Sequence, residues 1–115
     1  MSDFSAIRER YLRDEVPRRL GGLAANLARV GSFAGNSANS ALVYSLLDES
    51  KWFIEWTAAE TSIDTAAQLV DLQLELSLWQ LDWERIWSNP AIRAAMASHS
   101  RNWSDRVLTL SRLLD

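Results

Sequence analysis

Residues 69–86 constrain this chain more than any other stretch. Leu69, Leu72, Leu76, Trp79, Trp83 and Ile86 recur at alternating intervals of three and four. That spacing lines one face of an α-helix and packs it lengthwise on a neighbour. A second apolar row, Ile63, Val70, Leu74 and Leu81, lies on another side of the same predicted helix, which spans residues 62–88. Between the rows run Gln73, Ser77, Gln80 and Glu84. Asp64, Asp71, Glu75 and Asp82 form the strip expected to stay wet, because carboxylates are expensive to bury unpaired. Apolar flanks on two sides demand either a place in the crowded middle of a bundle or completion of one flank by a second copy of the chain.

The other segments are also helical in pattern. A first stretch with Ile7, Tyr11 and Leu12, capped by Ser2 or Asp3, runs into Pro17, which lacks the donor a helix interior requires. A kink or fresh start is expected there, with Asp14 as the new N-cap and Pro17 inside the first turn. Leu20, Leu23, Leu27 and Val30 follow at helical spacing, and Gly21 and Gly22 within that run predict a closely crossing neighbour or a hinge. Residues 31–40 are the clear connector, with glycine closing one helix and Asn36 or Ser37 opening the next.

The helix over residues 37–60 has Leu42, Leu46, Phe53 and Trp56 as its main stripe, flanked by Trp52 and by Val43, Leu47 and Ile54. The capping signal Thr61-Ser62-Ile63-Asp64 allows only a short turn, which makes the second and third helices antiparallel. Asn89-Pro90 opens the last helix, whose stripe is Ile92, Met96, His99, Trp103, Val107, Leu110 and Leu114. No strand pattern appears. The reading is an all-α chain, an up-and-down four-helix bundle in a single domain over residues 1–115, its first helix broken or kinked near Pro17.

A chain of 115 residues can bury a core without cross-links, and this one has no cysteine. Disulfides, thiol catalysis and thiolate metal sites are thereby removed, and a reducing cytoplasm is the simplest setting. No apolar run reaches membrane-spanning length, and the first residues lack the apolar core of a signal peptide. Net charge is -3, unevenly spread. Residues 1–35 hold six arginines against four acids, and residues 89–115 four arginines against two acids. Residues 36–88 hold nine acids against Lys51 and Arg85. Basic outer helices beside an acidic middle pair account for this within one bundle or across a dimer, and an acidic total does not suit nucleic acid.

Six tryptophans are the most unusual feature of the composition. Trp52 and Trp56 are one turn apart, as are Trp79, Trp83 and Trp87, so two aromatic columns are expected, either as core or as an interface or ligand patch. His99, the single histidine, and Glu49 both fall on apolar stripes, and similar heights in the bundle make them a candidate buried polar pair. The Glu-x-x-His pairs of a di-metal bundle are absent, so no metal or cofactor is expected.

Arg93-Ala-Ala-Met-Ala-Ser-His99 resembles the Arg-x(4-6)-His pattern of HEPN domains. Those are small helical bundles, often dimeric, many of which cleave RNA, and the resemblance implies Arg93 and His99 as alternative catalytic residues. A second alternative is a bundle enclosing a small apolar ligand beside Glu49. The principal expectation is a module without chemistry of its own, a protein-protein interaction or assembly unit acting as a homodimer.

Overall fold

The computed structural model describes residues 3–113, and all of its regular elements are helical. They are α1 (Asp3–Arg13), α2 (Val16–Phe33), α3 (Ser40–Glu55), α4 (Ile63–Leu81), α5 (Trp83–Ser88) and α6 (Pro90–Leu113), with 3-10 turns at Ser37–Asn39 and Ala58–Glu60. Ser2 and Leu114, the expected first cap and the end of the last stripe, lie outside the described residues.

The break expected near Pro17 falls at Asp14-Glu15. Pro17 sits in the first turn of α2, where its missing N–H leaves no gap, but the N-cap is Glu15 instead of Asp14 and its side chain makes no capping bond. Arg19 supplies the local order. Its guanidinium donates to the carbonyls of Asp14 at 2.8 Å and Leu12 at 3.4 Å, which the end of α1 leaves free, and to Glu60 at 2.6 Å.

α2 is the central rod, packed against both α6 and α3. Its predicted stripe, Leu20, Leu23, Leu27 and Val30, is fully buried. The α6 side of this contact is lined by small residues, so the helices approach closely. Buried Ser100 and Ser104 donate to the carbonyls of Leu27 and Ala24, each at 2.7 Å. α2 continues through Gly31 to Phe33, so the connector begins later than expected. Gly31 is instead where Arg101 crosses: a Cβ there would lie 2.5 Å from Arg101 Cγ, and Arg101 donates to the Gly31 carbonyl at 2.9 Å. Gly21 and Gly22 show no such close approach.

α3 is shorter than expected, because the residues flanking it form the 3-10 turns. It is also rotated. Val43, Leu47 and Ile54 face the core together with Phe53 of the expected main stripe, while Leu42 and Trp52 are exposed and Leu46 and Trp56 half-buried. Ser62 caps α4 by accepting from the Thr65 N–H at 3.2 Å. The single long third helix expected from the sequence is interrupted at Asp82, which ends α4 and lets α5 start afresh. Asn89 then opens α6, its Oδ1 accepting from the N–H groups of Ala91 at 3.0 Å and Ile92 at 3.2 Å.

The long helices α2, α3, α4 and α6 share one core. The molecule measures 38 × 34 × 21 Å, a slab about two helices thick at interaxial distances of roughly 10 Å. In such a slab a peripheral helix has an inner and an outer side. For α4 the outer side is the one of interest.

Candidate functional site

α4 is apolar on both sides. Its inner seam, Leu69, Leu72 and Leu76, is fully buried against the core. Half a turn round, Ile63, Val70, Leu74, Leu78 and Leu81 are all more than half exposed, Ile63 reaching 88% and Leu81 84%. Ala67 fills the interval and is also exposed. The six residues recur at intervals of three and four, a strip roughly 27 Å long at 1.5 Å per residue. Isolated exposed leucines are ordinary, but a contiguous strip of several hundred Å² marks a surface that meets something.

The edges of the strip are polar and acidic. On the α3 side, Gln73 donates to the Lys51 carbonyl at 3.2 Å and to Glu55 at 3.1 Å, and Lys51 donates to Gln80 at 2.7 Å. Asp48 lies in the same cleft. On the other side Asp64 and Asp71 are exposed, with no ion pair among the described residues. Further along that edge, Glu75 accepts from Trp103 Nε1 at 2.7 Å and Asp82 from Arg85 at 2.6 Å. The hydrogen bond and charge of Asp82 raise the Arg85 pKa above its ordinary value. Two of the four carboxylates expected to be fully wet are therefore partly engaged.

Next to Leu78 the strip opens into a cleft of about 300 Å³ between α4, α5 and α6. Trp79, Ile86, Ile92 and Met96 line it, and Glu75, Asp82, Arg85 and His99 form its rim. The sequence shows the rows on either side of α4 but not this cleft, which depends on the break at Asp82.

The tryptophans divide differently from the two expected columns. Trp83 and Trp87 stack at 5.1 Å and pin the start of α3 and the turn before it: Trp83 Nε1 donates to Ser40 Oγ at 3.0 Å and Trp87 Nε1 to the Ser37 carbonyl at 2.8 Å. Trp79 leaves that column at the Asp82 break and faces the α4–α6 cleft. Trp52 and Trp56 stack at 5.9 Å and receive Phe4 of α1 at 5.0 and 5.3 Å. Trp87 is buried and Trp52 is 41% exposed, the remaining three of the set lying between.

Glu49 and His99 do not form the expected pair. Glu49 accepts from Asn26 of α2 at 3.0 Å, whereas His99 is exposed, its Nδ1 3.9 Å from Glu75. Equal height does not make neighbours, and α2 packs against both helices that carry them. The cleft at Glu49, about 180 Å³, is bordered by Asp48 as well as by Trp52 and Trp56, an acidic setting for an apolar ligand. Arg93 and His99 line different clefts. Arg93 is engaged structurally, donating to the carbonyls of Ala34 at 3.0 Å and Trp87 at 2.7 Å, with its guanidinium 5.3 Å from the Trp87 ring.

Among the described residues no group of three or more His, Asp or Glu is placed to hold a metal ion, and no helix is long and apolar enough to cross a membrane. Compared with models of protein families, with curated proteins and with solved structures, the chain matches none.

Proposed function

We propose that this chain is a non-catalytic protein-protein interaction and assembly module that works by docking a helix along the outer face of α4. The four long helices, read as an up-and-down bundle joined by short connectors, serve as the rigid support. The observation that carries this reading is the strip Ile63, Val70, Leu74, Leu78 and Leu81, exposed opposite a seam that is already buried. Its spacing suits another helix, because ridges at intervals of three and four fill the grooves of a partner with the same intervals.

The homodimer expected from the sequence is one form of this reading, in which a second copy supplies its own α4; a helix from another protein is the other. Sedimentation velocity across protein concentration, on the wild type and on Leu74→Glu, tests it. A wild-type dimer returned to monomer by the substitution supports the homodimeric form. A wild-type monomer leaves the strip to a different helix. A dimer indifferent to Leu74→Glu overturns the assignment to α4.

A further inference from the structure

We infer that the occupant of the α4 strip is an amphipathic helix whose apolar seam is flanked by arginine or lysine, not a second copy of this chain; the inference rests on the docking role proposed above. Charge on the edges of the strip decides between the two. One edge carries Asp64 and Asp71, both exposed and free of ion pairs among the described residues. The opposite edge borders the cleft holding Asp48 and Glu55, where among the described residues Lys51 is the one cation and is already donating to Gln80.

A second α4 would bring its own Asp64 and Asp71 to these edges. In the antiparallel two-fold arrangement the acidic edge of each copy faces the acidic edge of the other, and like charges held close oppose association. The basic surfaces of this chain do not solve the problem. Among the described residues the helices that carry its outward arginines, α1, α2 and α6, expose only Phe4 and Leu108 as large apolar side chains, not a row to match the strip. A basic-flanked helix meets both requirements: its seam covers Val70, Leu74 and Leu78, and its cations reach Asp64, Asp71 and the rim carboxylates Glu75 and Asp82. The cleft beside Leu78, of about 300 Å³, is large enough to take one bulky apolar anchor from that helix.

The test uses the full chain and three probes, two of them synthetic helices as long as α4, followed by fluorescence anisotropy. The first has a leucine seam flanked by lysine and arginine, the second the same seam flanked by glutamate, and the third is the fluorescently labelled full chain, a true second copy. The basic helix is expected to bind about tenfold more tightly than either other probe, the ratio shrinking as salt rises from about 0.05 to 0.5 M. Asp64→Asn with Asp71→Asn narrows the ratio without touching the core. Leu74→Glu abolishes binding although it adds negative charge, which separates seam docking from simple attraction to an acidic protein. Leu74→Gln serves as a second variant with the same expected loss.

Equal binding of the basic and glutamate-flanked helices overturns the charge assignment and leaves docking on α4 standing. Tighter binding of the labelled full chain overturns it in favour of a second copy. Failure of all three probes to bind the wild type overturns both this inference and the function on which it rests.

Discussion

The guanidinium of Arg19 lies 2.6 Å from a carboxylate oxygen of Glu60, and this contact ties the break between α1 and α2 to the 3-10 turn that follows α3. The Arg19 side chain is buried and that of Glu60 half in water. The same guanidinium closes carbonyls at Asp14 and Leu12, while the Arg19 carbonyl accepts from Tyr11 Oη at 2.7 Å. One side chain therefore joins three segments that the sequence separates.

Arg19→Ala is expected to destabilise the fold by about 2 to 4 kcal/mol, since it strands carbonyls at a buried junction. Lysine cannot reproduce the fork, so Arg19→Lys recovers only part of the loss. Glu60→Gln, at the wet end, changes stability by about 0 to 1 kcal/mol. Urea unfolding of the three variants checks the order.

The two faces of α4 respond oppositely to truncation. Leu72→Ala opens a cavity in the core and lowers stability by about 2 to 5 kcal/mol. Leu74→Ala, half a turn round on the exposed strip, stays within about 0.5 kcal/mol of the wild type. Both are read by thermal or urea denaturation at a protein concentration low enough to keep the chain monomeric.

Trp87→Ala removes a buried ring, its stack on Trp83 and the bond to the Ser37 carbonyl, and a loss of about 3 to 5 kcal/mol is expected. Trp87→Phe keeps a ring in place and loses less, the Ser37 carbonyl then turning to water. Chemical denaturation followed by circular dichroism compares the two.

Burial raises the Tyr11 phenol well above its ordinary value of 10.0, a shift that its hydrogen bond with Thr57 only partly offsets. The unfolded chain releases this proton at lower pH than the folded chain does. The contribution of Tyr11 to stability is thus fully present below pH 10.0 and is lost as pH rises beyond it toward the folded value. Unfolding midpoints should fall more steeply above pH 10.0 in the wild type than in Tyr11→Phe. Parallel alkaline profiles for the two proteins would contradict this.

Much of the frame is legible in the sequence because it rests on local chemistry. Pro17, the Ser62 cap and Asn89-Pro90 mark boundaries through donors that are missing or supplied nearby. The two apolar rows of α4 follow from helical spacing alone, and they carry the candidate site. What was not legible depends on which helices meet. Glu49 and His99 share a height, but partner choice is set by the α2–α3 and α2–α6 contacts, which give Glu49 to Asn26. Arg19 reads as one more surface arginine until the 3-10 turn after α3 places Glu60 beside it. The expected tryptophan patch divides: Trp83 and Trp87 hold Ser40 and Ser37, whereas Trp52 stays exposed beside Phe4, and the row on which the proposed docking rests is aliphatic.

The most direct test of docking on α4 is chemical-shift mapping of the isotopically labelled chain as the basic-flanked helix is added. The account predicts that amide shifts concentrate on residues 63–81 and on the part of α6 that borders the cleft, around Ile92 to His99. Shifts that gather instead on α1 and α3 around Trp52, or on the far side of α6, would contradict it.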